Sequence, residues 1–300
     1  MKWQLVFAAS LVLAACSSNS AQPGDGGSND ASIPADLAST DLYGCQDPLN
    51  ERPDGGACLT SVSGHVVSEA DKPLNSTLIS VCGDICFYGR TVSDGTFVAL
   101  IKDHVVLDHY AIEVHGRPDR ASWYQPLPQL TSDTLAISVP LVSPLLPATG
   151  PAIALDDSAQ TIVSGDATLI LAANTQVQLD VEDVELMPLG SQLRVLTVSP
   201  ALLAKLPFVD AAHPPDALFA FAPFEVVFSQ KAQVTFANTA SLPALAAVDI
   251  FSMRGYVANL PPAGVNDRVA GAHVSADGTK IVMDAGEGVT TLTWLALVKK

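Results

Sequence analysis

Residues 62–82, VSGHVVSEADKPLNSTLISVC, decide the reading of the fold. Two runs rich in Val, Ile, Ser and Thr flank a charged, proline-bearing turn, EADKPLN (69–75). Runs of this length bounded by turn residues read as strands, and no 3.6-residue apolar period competes with them. Working outward, LTSVSGHVVS (59–68) opens the series. CFYGRTV (86–92), TFVALI (96–101), YAIEVHG (110–116) and TLAISVPLV (134–142) continue it, separated by Gly, Pro, Asp and Asn. Roughly seven short strands in some 85 residues is the count of a Greek-key sandwich. Asp94-Gly95 supplies the positive φ of a tight hairpin, and Phe97 begins the returning strand facing the core.

The stretches 62–82 and 91–101 together resemble the carboxypeptidase regulatory-like, or transthyretin-like, β-sandwich. Gly64, Val66, Pro73, Leu74, Val81, Asp94, Gly95 and Phe97 carry the likeness, which covers residues 60 to about 142. It implies a structural and binding module without catalytic residues. CGDIC (82–86) departs from that pattern, in the region between the second and third strands.

PLVSPLLPATGPA (140–152) holds four prolines, each removing a backbone donor, and marks a boundary with a linker at 144–152. Beyond it strands resume over 153–300, in QTIVSGDATLIL, QLRVLTVSP, LFAFAPFEVVFS, AQVTFANT, AAVDIFSMRG, VAGAHVSADGTKIVM and VTTLTWLALV. In TQVQLDVEDVEL (175–186) Val177, Leu179 and Val181 alternate with Gln176, Gln178, Asp180 and Glu182, which predicts a strand with one wet face. ALLAKL (201–206) suits a short helix. Segments of 160–297 are similar to a β-rich module of surface lipoproteins from myxobacteria-like bacteria, related in pattern to ZU5-type sandwiches. The expected fold class is all-β: two consecutive Greek-key-type β-sandwich domains, at 59–143 and 153–300.

The chain begins with Lys2 and an apolar run, WQLVFAASLVLAA, well short of the roughly 20 residues a spanning helix needs. Residues 1–15 therefore read as an export signal. Leu13-Ala14-Ala15-Cys16 resembles the bacterial lipobox, which implies acylation of Cys16 and a lipid-anchored place at the outer membrane or cell surface. Residues 17–44 carry no base and only scattered apolar side chains, so 16–44 is expected to be a disordered acidic tether. CQDPLNERPDGGAC (45–58) suits a stapled loop. Cys45, Cys58, Cys82 and Cys86 remain once Cys16 is set aside, and four cysteines allow three pairings. The local pairs, Cys45 with Cys58 and Cys82 with Cys86, are the favoured ones. A metal or redox reading of CGDIC has the wrong spacing and no second cysteine pair.

The formal charge is −16, and losing residues 1–15 removes Lys2 and leaves −17. No basic run exists to release counterions, so nucleic acid is not an expected partner. The expected partners are the membrane, through the acyl chains, and a protein or glycan at the cell surface.

KDHVVLDHYAIEVHGRPDR (102–120) concentrates Asp103, His104, Asp108, His109 and His115. On one strand His109 and His115 would lie about 20 Å apart at ~3.3 Å per residue, too far to share an ion. His104 and His109 could converge across a turn with Asp103 or Asp108, but isolated histidines and turn aspartates explain the same letters, and no metal site or cofactor is expected. G-x-S-x-G, H-E-x-x-H, the P-loop and the dinucleotide fingerprint are all missing from the sequence. No enzyme is expected, an accessory hydrolase being the third choice. Trp123, Tyr124 and Tyr110 are the candidate aromatic platform for a glycan, against the simpler reading that they pack in the core.

Overall fold

A computed structural model describes residues 45, 56–106, 109–128, 130, 132–256 and 263–300, apart from the side chains of 102–104. The signal segment, Cys16 and the tether lie outside the described residues.

The first half contains eight strands: β1 (Ala57–Val67), β2 (Leu78–Cys82), β3 (Cys86–Arg90), β4 (Thr96–Val106), β5 (Ala111–His115), β6 (Trp123–Pro126), β7 (Thr134–Ala136) and β8 (Leu141–Val142). They form two layers, β4-β1-β7 with β8 also on β1, and β3-β2-β5-β6. The chain changes layer between β1 and β2, β3 and β4, β4 and β5, and β6 and β7, the interleaving of a sandwich. Gly95 turns the hairpin at φ 81°. Phe97 then pairs opposite Gly64 and is buried. A methyl group on Gly64 would stand 2.8 Å from the Phe97 ring, so glycine leaves that ring its place. Cys82 pairs directly across from Cys86 in the β2–β3 ladder. That pair and Cys45 with Cys58 are joined as disulfides, with Cα separations of 4.1 and 5.6 Å.

The second half adds β9 (Gln160–Ser164), β10 (Ala167–Leu171), β11 (Val177–Gln178), β12 (Arg194–Thr197), β13 (Ala217–Ala222), β14 (Val226–Ala237), β15 (Ala247–Met253), β16 (Asn266–Val274), β17 (Lys280–Met283), β18 (Val289–Leu292) and β19 (Leu295–Lys299). Two helices accompany them, α1 (Val181–Glu185) and α2 (Pro200–Leu203). The strands are linked in one hydrogen-bonded sheet, β12-β13-β19-β15-β16-β17-β14-β10-β9, with β11 and β18 on β14. The register of β14 against β18 slips between Val227 and Ala232, and Ser229, Gln230 and Lys231 there are exposed. Such a bulge bends a strand, and β14 pairs with β11 and β18 at its beginning and with β10 and β17 beyond the bend. The sheet's ends approach where Thr197 Oγ1 donates to Asp166 at 2.7 Å.

The strand expected through 175–186 is only partly formed. β11 stops after Gln178, and Asp180 caps α1 by accepting the Glu182 N–H at 2.8 Å. An acceptor side chain followed by acids in the first turn is a helix start, which the alternation of Val and acid residues masked.

The proline-rich segment does not keep the two cores apart, and the described residues all fall within one compact unit. All six residues of β13 are buried. Ala217, Phe219 and Phe221 face the second core, and Leu218, Ala220 and Ala222 face the core of the first half. Trp294, between β18 and β19, joins the first core too, donating from Nε1 to the Ser122 carbonyl at 2.7 Å.

Candidate functional site

Along the seam between the halves the apolar packing gives way to charge. Glu113 and His115 lie two residues apart on β5 and so share a face. Ser80 pairs opposite Glu113. The Ser80 hydroxyl donates to Glu113 Oε2 at 3.3 Å, and His115 Nε2 stands 3.1 Å from the same carboxylate oxygen. His115 Nδ1 reaches Glu182 of α1 at 3.1 Å. Past β5 the chain turns through Gly116 and a cis Arg117-Pro118 bond. Arg117 Nη1 donates to Glu182 at 2.8 Å, and Nη2 donates to Asp183 at 3.1 Å and to the Phe224 carbonyl at 3.0 Å. Deeper in the seam Tyr124 donates its hydroxyl to Glu225 at 2.6 Å. Asp183 and Glu225 are buried, and the Arg117 side chain is only 10% exposed.

Burial moves these groups in opposite directions. Glu113 is pushed up to about 7 by desolvation, against the pull of His115 and Arg117. His115 is drawn down by burial, but the Glu182 hydrogen bond and the Glu113 charge raise it on balance. Glu182 is held at about 2, first by its hydrogen bond from His115 and then by Arg117. Burial raises Asp183 despite Arg117.

A stability profile follows. From pH 4.5 to about 7 the folded state keeps a proton on Glu113 that the unfolded chain releases, so stability falls as pH rises through that window. The His115 contribution is present at low pH and lost as pH rises above its raised pKa. Glu182 acts oppositely: its contribution is full above 4.5 and lost as pH falls toward 2. Thermal midpoints measured from pH 4 to 8 are expected to decline on the alkaline side. Glu113→Gln flattens the part of that decline between 4.5 and 7, whereas an unchanged slope in the variant would assign it elsewhere.

At the mouth of the seam lies a cleft of about 500 Å³, bordered by Leu74, Arg90, His115, Arg117, Glu182 and Glu185. Arg90 donates to the Ser76 carbonyl at 3.2 Å and has no carboxylate partner among the described residues. Glu185 likewise has no ion-pair partner among them. The cleft thus presents a free cation, Arg90, and two carboxylates without an ion-pair partner among the described residues, Glu185 and Asp119, between walls fixed by the Arg117 pairs.

Ser80, His115 and Glu182 are connected in the order of an acyl-transfer triad, with Ser80 Oγ 3.0 Å from His115 Nε2. Ser80, however, is 1% exposed and does not border the cleft, so a substrate carbonyl has no path to its oxygen. Its oxygen also lies 3.3 Å from Glu113 Oε2.

The candidate glycan platform needs correction. Trp123, Tyr124 and Tyr110 are 0, 2 and 0% exposed. Trp123 donates to the Val142 carbonyl at 2.9 Å and packs against Phe208 at 5.1 Å, so these rings serve the core. The histidines do not gather. His109 pairs with Asp84 at 3.3 Å, while His115 belongs to the seam. Asp108 and the side chains of Asp103 and His104 lie outside the described residues, and no cluster of three metal-binding side chains occurs among those described.

The meeting of Arg117 with Glu182 and Asp183 at the seam is not apparent from the sequence. Asp180 ahead of Glu182 and Asp183 was the available signal, a cap with an acidic first turn.

No family model matches the chain, and no curated protein matches it. Among solved structures, a candidate carbohydrate binding protein from Bacteroides uniformis aligns with 81% of this chain and 100% of its own, at 9% identity and a TM-score of 0.22. A DUF3823 family protein from Bacteroides ovatus aligns with 80% of this chain and 97% of its own, at 9% identity and a TM-score of 0.20. Likeness at that level carries no functional argument.

Proposed function

We propose that the chain is a non-catalytic interaction module, held at the outer membrane or cell surface of a bacterium by acyl chains on Cys16. Its cleft takes a small polar ligand carrying both signs of charge. The observation that carries this reading is the unpaired Arg90 and Glu185 bordering one cleft whose walls are fixed by buried ion pairs. Preorganised walls spare a ligand the cost of ordering them. The chain's charge of −16 disfavours polyanions as a class. Gly64 opposite Phe97 and the Asp94-Gly95 hairpin support the likeness of 60–142 to carboxypeptidase regulatory-like modules, which are binding modules in the main.

Thermal-shift screening of the full chain against amino acids and dipeptides tests the cleft. At least one zwitterion is expected to raise the midpoint, and Arg90→Ala or Glu185→Ala to abolish the rise. No rise with any zwitterion overturns the ligand class. Ester or peptide hydrolysis that disappears in Ser80→Ala overturns the non-catalytic reading. Cys16→Ser is expected to move the chain from the membrane fraction to the soluble one.

A further inference from the structure

Away from the cleft, the outer face of the second sheet emerges from beneath the 205–215 loop as a groove of about 230 Å³. Phe208, His213, Leu218, Phe251, Asn266 and Trp294 border it. Phe251 stands on β15, where Val248 and Ile250 point into the second core, so its ring faces outward. It is half-buried and has no ring partner among the described residues, unlike Phe208, which sits between Trp123 at 5.1 Å and Trp294 at 5.0 Å. The floor is therefore rigid: Phe208 and Trp294 are locked into the core, and Phe251 is fixed on a strand paired on both sides.

The rim is polar. Asp210 and His213 pair at 2.9 Å on the loop side, and Asn266 stands at the start of β16 on the other. An apolar floor bordered by an acceptor, an amide and an imidazole fits a ligand with one flat hydrocarbon face and a hydroxyl edge. A pyranose has that form, since its axial C–H bonds present weakly positive hydrogens to the negative face of an aromatic ring. The volume is below the ~300–1,000 Å³ of drug-sized pockets, which limits the occupant to about one ring. Asp210 and the overall charge exclude an acidic sugar.

We infer that this groove is a saccharide subsite for one neutral pyranose unit, stacked on Phe251 and hydrogen-bonded by Asn266 and Asp210. It rests on the reading of the chain as a binding module but not on the cleft, which is bordered by different residues.

Saturation-transfer NMR of the full chain with methyl hexopyranosides tests it. Transfer to the ring C–H protons of at least one hexoside is expected. Phe251→Ala should reduce it tenfold or more, Phe251→Tyr should retain it, and Arg90→Ala should leave it unchanged. Equal loss in Phe251→Ala and Phe251→Tyr, or transfer indifferent to both, overturns the stacking role. No transfer to any hexoside, or transfer to phenol and indole alone, overturns the saccharide assignment. Loss caused by Arg90→Ala would place the sugar in the cleft and so overturn this site while sparing the module.

Discussion

Replacing Arg117 with methionine is expected to cost about 3–5 kcal/mol, because it strands the buried Asp183 carboxylate and leaves Glu182 to His115 alone. Asp183 has a side chain only 3% exposed and Arg117 at 3.1 Å, and Glu182 loses its 2.8 Å partner. The Phe224 carbonyl loses a donor as well. An isolated surface pair would be worth only about 0–1 kcal/mol, so the size of the loss is the test. Denaturant unfolding measures it as a fall in midpoint at constant slope. Adding Asp183→Asn to the variant should restore part of the loss, since the partner left unpaired is then neutral. A cost below about 1 kcal/mol would show the seam to be solvated, with no buried network.

Trp294→Ala should be comparably severe, at about 3–5 kcal/mol for a large buried aromatic. Its ring is 1% exposed and meets Phe208 edge-on at 5.0 Å, and its N–H holds the Ser122 carbonyl in the other half. Because the ring belongs to the first half's core while its neighbour Leu295 belongs to the second, the damage should reach both. Calorimetry is expected to show one cooperative transition in the parent chain and the same single transition, lowered, in the variant. Two separated transitions in the parent would contradict a shared core.

The legible parts of this fold are those whose determinants are neighbours in sequence. Asp94-Gly95 announces its hairpin, Asp277-Gly278 announces another, with Gly278 at φ 74°, and Ser199-Pro200 starts the short α2. The seam could not be read in the same way. Arg117 meets Glu182, Asp183 and Phe224 across 65, 66 and 107 residues, and no local pattern encodes such a meeting. The acids of α1 looked like a wet strand face because five residues are too few to display a helical period. Trp123 and Tyr124 were ambiguous for a related reason: an aromatic on a strand serves a core or a ligand according to what covers it. Here Phe208, Phe224 and Tyr256 cover them, all from the later part of the chain. One signal was present and unused. ALFAFA in β13 is apolar at every position, which in a sheet means burial on both sides.

That doubly buried strand has a bearing on how the polypeptide matures. During synthesis the amino-terminal portion emerges first, yet its interior stays unfinished until Leu218, Ala220 and Trp294 arrive. Contacts spanning so much chain close slowly, and exposed apolar surface waits meanwhile. Severing the chain within its proline-rich stretch would leave two sticky fragments, neither able to seal itself. The pair must therefore be inherited, synthesised and degraded as one object.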